Sequence, residues 1–277
     1  MRADDVGGAD RVKEAAFQDL ARRLHEPVPP PGDPVASQVR LRRLLATDPG
    51  GCWVADDGDG LAGVGLALMR DGVWGLSLLA VRPDCQSAGI GGALLRQTLE
   101  YGADARGGII LGSPDTRALR AYAGAGFELH PALWAVGRPR GAVAAPAVRA
   151  FEAGDHELAA AIDVELRGAP HGADLDALAA AGCELLTFPG RGYAAHRYGA
   201  VKTIAAFDDE AAAALLRTVL ARVPDGAEAD VGWLTGAQQW AIDVVLAARL
   251  ALRPGGAVCL RGEVGRFRPY LPSGAFL

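Results

Sequence analysis

The sequence predicts an α/β protein of two similar domains in tandem, each a central mixed, mostly antiparallel sheet flanked by helices. Three observations carry that prediction. Residues 79–102 run from an apolar strand through a glycine-rich loop into a helix whose Leu94, Leu95 and Leu99 share one face. Ahead of them, Asp57-Gly58 and Asp71-Gly72 are hairpin signals that divide an apolar stretch into three strands. The chain also repeats itself: ALLRQTL at 93–99 returns as ALLRTVL at 214–220, Gly51-Cys52 as Gly182-Cys183, and Leu79-Ala80-Val81 faces Ile204-Ala205-Ala206.

Composition agrees with two ordinary globular domains. The chain has 277 residues, 50% hydrophobic and 22% charged, with a net charge of -5 and a pI of about 5.6. That balance argues against nucleic acid as a partner and mildly favours cationic or neutral substrates. Cys52, Cys85, Cys183 and Cys259 are far apart, with no C-x-x-C and no matching histidine spacing, so neither a metal site nor a disulfide framework is expected. Cys85 abuts the glycine loop but reads as incidental. The start MRADD has no apolar core and no run reaches the length of a membrane span, so a cytoplasmic protein without a membrane partner is expected.

Helices are expected near 11–24 and 35–45, joined by the proline cluster EPVPPPGDP as a stiff connector. The three-strand meander follows, then the loop and helix, a strand at 108–111, a helix at 115–125 and closing strands at 127–129 and 134–136. Gly, Pro and Ala dominate 139–147, a linker without apolar periodicity. This divides the chain into domains at 1–138 and 148–277. In the second, helices are expected at 155–166 and 174–181, with Asp155 and Asp174 as N-caps. Strands at 184–188, 193–196 and 201–207, a helix at 209–221, a strand at 229–234, a helix at 237–250 and a strand at 258–261 complete it.

The loop has a physical use. The first amides of a helix lack intrahelical partners and sit at the positive end of its dipole, and small residues let an anion approach them. Ser87, Ala88, Gly89, Ile90, Gly91 and Gly92 supply such a turn. The dinucleotide GxGxxG and the P-loop GK[ST] patterns are both absent.

Gln86, Gly89 and Gly91 resemble, position by position, the Gln/Arg-x-x-Gly-x-Gly/Ala pyrophosphate motif of the GNAT superfamily of N-acetyltransferases. The preceding strand is similar to the one along which the family lays the pantetheine arm of acetyl-coenzyme A. Downstream, DTRALRAYAGAGF at 115–127 resembles the family segment Asn-x-x-Ala-x-x-x-Tyr-x-x-x-Gly-Phe, with Asp115 in place of Asn. The resemblance implies acetyl-CoA as cosubstrate, held by Leu79, Ala80, Val81, 86–92 and Asp115. It implies Tyr122 as the general acid toward the departing thiolate, a role that suits a phenol of pKa near 10. It also implies that a short strand precedes the first helix.

The reaction implied is direct attack by a primary amine of a small molecule or peptide, in a ternary complex. Backbone N–H groups around Ala80 and Val81 would stabilise the oxyanion. The strand VWGLSLLAV carries no carboxylate base; Ser77, Glu128 and His130 are the alternatives nearby, each more readily read as an ordinary surface or core residue. The second copy places Asp208, Asp209 and Glu210 where the first has its loop, and Val245 where the first has Tyr122. Carboxylates there would repel a pyrophosphate, so a degenerate domain is expected, left to wall the acceptor pocket or form a homodimer surface. The tail RFRPYLPSGAFL either packs across the domain junction or brings the Leu277 carboxylate to the active site. A noncatalytic module binding acyl-CoA or another ligand on the same fold is the alternative to an enzyme.

Overall fold

A computed structural model describes residues 1–28 and 34–277, so the centre of the proline cluster, 29–33, lies outside the described residues. The chain forms two compact units, Met1–Ala105 and Arg106–Leu277.

The first unit contains α1 (Val6–Arg23), α2 (Pro34–Thr47), β1 (Cys52–Asp56), β2 (Leu61–Arg70), β3 (Val73–Val81) and α3 (Ile90–Tyr101). No strand precedes α1; residues Ala3–Asp5 form a 3-10 turn that leads into it. The helix begins ahead of the expected Arg11, because Gly7 and Gly8 do not break it. A side chain at Gly8 would stand 2.8 Å from Leu61 Cδ1, so this glycine serves close packing of α1 on β2. The three strands form the expected antiparallel meander. Asp71 and Gly72 both take positive φ, as a two-residue hairpin turn needs. On β2, a side chain at Gly63 would approach Leu94 to 2.8 Å, which shows how closely α3 lies on the sheet.

Asp48, after α2, fastens this unit together. Its buried carboxylate accepts from the Met69 amide at 2.8 Å, from Arg70 at 2.9 Å and from the Tyr101 hydroxyl at 3.0 Å. Full satisfaction is what makes a buried charge tolerable.

The second unit opens with β4 (Gly107–Gly112), α4 (Thr116–Gly124), β5 (Glu128–Gly137) and β6 (Arg149–Ala150). It continues through α5 (His156–Arg167), α6 (Asp174–Ala180), β7 (Glu184–Phe188), β8 (Gly192–Arg197), β9 (Ala200–Ala206) and α7 (Asp209–Ala221). It closes with β10 (Ala229–Leu234), α8 (Gln239–Ala247), β11 (Ala251–Gly262) and β12 (Tyr270–Leu271). Its sheet runs β4-β11-β5-β10-β9-β8-β7-β6, with β12 on β9.

The sequence repeat maps element onto element, with β3 matching β9, α3 matching α7 and β5 matching β11. The strands of the two copies are exchanged. Strand β11, at the end of the second copy, lies antiparallel between β4 and β5 of the first, pairing Cys259 with Ile110 on one side and Leu129 on the other. Strand β5 of the first copy in turn pairs with β10 of the second. The division between compact units therefore falls at 105/106 and not at the Gly/Pro/Ala segment.

Several local expectations differ. The two closing strands are one continuous β5, because Pro131 sits within the pairing and a register shift between Pro254 and Ala257 of β11 accommodates it. Asp155 stands at the N-cap of α5 as expected, but its side chain makes no cap bond there; the carboxylate accepts from the Glu152 amide at 2.8 Å and pairs with Arg149, closing a 3-10 turn ahead of the helix. Asp174 is the first helical residue of α6, whose N-cap is Ala173. The last helix is shorter than expected and β11 longer.

The core of the second unit packs Ala212, Leu215, Leu216 and Val219 of α7 and Val245 of α8 against Ala135, Ile204 and Val231 of the sheet. Beside it lies a buried polar cluster. Asp163 on α5 accepts from the His171 amide at 2.9 Å and from the Tyr193 hydroxyl, and meets His171 Nδ1 at 2.9 Å. Burial alone would push the Asp163 carboxyl up, but the His171 charge and hydrogen bonds, with Arg167 and Tyr193, outweigh it and hold the group below its ordinary value.

Replacing Tyr193 by Phe removes one donor from that buried carboxylate, and chemical denaturation is expected to show a loss of about 1–3 kcal/mol. Ending the chain at residue 138 leaves β4 and β5 without β11 between them. Hydrogen exchange on that truncated protein should find 107–112 and 128–137 unprotected.

Candidate active site

The first group of expected site residues is contiguous in the first unit. Leu79, Ala80 and Val81 end β3, a 3-10 turn spans Pro83–Cys85, and the chain then turns through Gln86, Ser87 and Ala88 into α3. Ser87 and Gly89 take left-handed φ of 66° and 86°. Gly89 is the N-cap of α3 and brings no side-chain cap, and the first turn contains no acidic residue. Ala93 is bonded back to the Gly89 carbonyl at 3.0 Å, which leaves the amides of Ile90, Gly91 and Gly92 as the unsatisfied start of the helix.

Among the described residues, nothing fills the space beside Gly89 and Gly92. A side chain at Gly89 or Gly92 would meet no atom within 4 Å, and one at Gly91 only Val81 Cγ2 at 3.5 Å. Small residues, free amides and a helix's positive end are the properties of an anion cradle, and they fit a diphosphate. Gln86 helps fix the turn, its side-chain amide donating to the Val81 carbonyl at 3.1 Å. Arg82 is tied by ion pairs to Asp57 at 2.5 Å and Asp84 at 2.7 Å. Desolvation raises the Cys85 thiol above its ordinary pKa, with Asp84 and Asp57 adding to it against the Arg82 charge, which keeps it protonated and unreactive.

Asp115 and Tyr122 lie together at α4 in the second unit. Asp115 caps the helix by accepting from the Arg117 amide at 2.9 Å, and its other oxygen pairs with the Arg117 guanidinium at 2.7 Å. Tyr122 is buried, and a side chain at Gly112 would come within 3.2 Å of its ring, so Gly112 makes room for it. Burial, then Cys259 and Asp115, push the phenol above its ordinary pKa. Cys259 belongs to β11, and Arg261 of the same strand bonds the Ala125 carbonyl at 3.1 Å and stacks on Phe127 at 4.7 Å. The last strand of the second copy thus walls the Tyr122 segment of the first, a contribution no local pattern announces.

The proposed base alternatives fare differently. Ser77 is buried and its hydroxyl accepts from Arg40 Nε at 2.9 Å. Glu128 and His130 are exposed neighbours on β5, 3.9 Å apart.

Residues 15–127 match the sequence model of the Acetyltransferase (GNAT) family. Over those residues the chain is similar to the GNAT acetyltransferases. The match spans α1 to the Tyr122 segment, so the cradle and the tyrosine both fall inside it.

In fold the likeness extends over the whole chain. An acetyltransferase structure from Pyrococcus horikoshii superposes with a TM-score of 0.77 at 17% identity, covering 99% of this chain and 93% of that one. A tandem GNAT protein from the clavulanic acid biosynthesis pathway gives 0.60 at 14% identity, covering 94% and 96%. A GCN5-related N-acetyltransferase from Sphaerobacter thermophilus gives 0.55 at 17% identity, covering 95% and 94%. No curated protein sequence matches the chain.

The GNAT-like loop of the second copy is built differently. Asp208 N-caps α7, accepting from the Ala211 amide at 2.9 Å, and Arg191 grips the same carboxylate through Nε at 3.0 Å and Nη2 at 2.6 Å. Arg191 also reaches Glu210 at 2.8 Å, and Arg268 of the tail pairs with Asp209 at 2.7 Å. Arg191 holds the Asp208 carboxyl below its usual range. The tail continues as β12, pairing Tyr270 with Ala205 and Leu271 with Ile204 on β9. Leu277 is buried in the same unit, and its carbonyl accepts from the Tyr270 hydroxyl at 2.9 Å. Val245 is a buried core residue without a polar group.

Substituting Asp208 with Ala removes the cap and frees Arg191; denaturant midpoints are expected to report a loss of about 1 kcal/mol.

Proposed function

We propose that the protein transfers the acetyl group of acetyl-CoA to the primary amine of a small molecule or peptide, with the first copy as the working site. The single observation that carries this is the uncapped, glycine-built start of α3 directly after β3. In this reading Leu79, Ala80 and Val81 hold the extended arm and the turn from Gln86 to Gly92 holds the diphosphate, with Asp115 at the edge of the cofactor site. The domains are 1–138 and 148–277 by ancestry, joined by 139–147, although their strands are shared.

The Val81 amide, which points away from β2 while Ala80 and Arg82 pair with it, stabilises the negative charge that develops on the thioester oxygen as the neutral amine attacks the carbonyl carbon. The carbon–sulfur bond then breaks and the sulfur leaves as a thiolate. Tyr122 gives that thiolate its proton and regains one from solvent, which receives the amine's surplus proton, so protons and charge balance over the turnover. Burial raises the phenol above its ordinary pKa in this structure, which makes it a weaker acid than a free phenol, so the transfer relies on its being held against the thiolate.

The second copy binds no acyl-CoA in this reading. Three acidic residues in and before the first turn of α7 take the place of the diphosphate, and the tail strand occupies the edge of β9 at the residues matching Leu79 and Ala80. The second reading, a noncatalytic module sensing acyl-CoA, is favoured by the absence of a carboxylate on β3 and by the engagement of Asp115 with Arg117.

Calorimetry and thiol release separate the two. Wild type should bind acetyl-CoA at one site per chain, and Gly92→Leu, which meets open space, should weaken binding at least tenfold at unchanged melting temperature. With an accepted amine, Tyr122→Phe is expected to lower kcat by about 10²- to 10⁴-fold with the acetyl-CoA Kd kept within about twofold. Binding without turnover on any amine would establish the sensing module instead.

A further inference from the structure

The cofactor strand carries a flaw in its ladder. Leu66 pairs with Leu78 and Ala67 with Leu76, so Ser77 is an extra residue bulged out of β3. Arg40 of α2 clamps this bulge, donating from Nε to the Ser77 hydroxyl at 2.9 Å and from Nη2 to the Ser77 carbonyl. Its third nitrogen, Nη1, has no partner among the described residues.

Arg40 is unlike the other arginines near this strand. Arg82 and Arg70 are each neutralised by a carboxylate, at 2.5 Å and 2.9 Å. No carboxylate of the described residues offsets Arg40, and burial lowers its pKa to about 10. A desolvated cation with only neutral acceptors is costly, and such a charge is stabilised when a ligand brings the opposite one.

Its place along β3 says which ligand. The diphosphate cradle begins at Gln86, beyond the C-terminal end of the strand, and the extended arm runs back along Val81, Ala80 and Leu79. Ser77 is two residues further on, about 7 Å at the rise of a strand, and so lies past the acyl end, on the acceptor's side.

We propose that Arg40 binds an anionic group of the acceptor, so that the amine acetylated belongs to a molecule with a carboxylate a few bonds from its nitrogen, an amino acid being the simplest case. The inference rests on the acetyl-transfer reading above. It runs against the mild preference for cationic or neutral substrates that the net charge of -5 suggests, because a charge that no described carboxylate offsets, close to the reacting atoms, outweighs a screened average over the surface.

The test compares matched acceptors, L-phenylalanine and L-glutamate against their α-carboxamides and against the diamine putrescine. Wild type should favour the carboxylates in kcat/KM by at least tenfold. Arg40→Gln, which also releases the bulge, should lower kcat for all acceptors, but it should raise KM only for the carboxylates, by about 10- to 100-fold, and keep the acetyl-CoA Kd within about twofold. Arg40→Lys should retain part of the preference. Ser77→Ala, which loosens the bulge and keeps the charge, should lower kcat for all acceptors alike and leave the preference intact.

Equal turnover of carboxylates and carboxamides by wild type, or an equal rise in KM for both in Arg40→Gln, overturns the assignment while leaving the acetyltransferase reading standing. Should no acceptor turn over, calorimetric titration of L-phenylalanine and L-glutamate into the acetyl-CoA complex decides it, and absence of binding that Arg40→Gln would weaken overturns it as well. Failure of acetyl-CoA itself to bind overturns the underlying reading, a separate outcome.

Discussion

Strand β11 satisfies two sheet edges at once. Its residues Ala257, Val258, Cys259 and Leu260 pair with β4 on one side and with β5 on the other, so neither edge of the first copy's later strands faces solvent there. Everything around Tyr122 follows from that insertion. Cys259 lies beside the phenol, Arg261 secures the end of α4, and Gly112 on the paired strand leaves room for the ring. The second copy has no polar group at Val245, yet it supplies the wall against which the first copy's tyrosine is held.

The two copies show how one backbone plan is turned to different ends by what sits at a helix start. At α3 the orphan amides of Ile90, Gly91 and Gly92 are left bare by small residues. At α7 a side chain answers the same need, with Asp208 capping Ala211 and Arg191 neutralising the carboxylate in turn. A helix start can be satisfied by the protein or by a ligand, and the same amide cannot serve both. The tail reinforces the second solution, its Arg268 on Asp209 and its Tyr270 and Leu271 along β9.

What was legible in the sequence was local. The meander follows from Asp57-Gly58 and Asp71-Gly72, α7 was bounded by Asp209 and Ala221, and the glycine loop was visible because its chemistry lies in consecutive residues. Long-range pairing was hidden. Nothing in the composition of 251–262 says that it enters between 107–112 and 128–137, and the Arg40–Ser77 clamp joins residues on elements with no shared pattern. Some local signals misled for physical reasons. Two closing strands are expected where Pro131 is carried inside one continuous β5, α1 begins before the expected 11 with Gly7 and Gly8 inside it, and Asp155, at the N-cap of α5, spends its carboxylate on the 3-10 turn ahead of the helix.

The exchange of strands also sets an order of events during synthesis. A ribosome releases residues 107–137 well before residues 251–262 exist, so the first copy's final third leaves the exit tunnel with two β edges open and its prospective proton donor unsheltered. Maturation of the first copy is therefore timed by translation of the second. A premature stop before residue 251 would leave β4 and β5 unpaired along the edges that β11 otherwise fills.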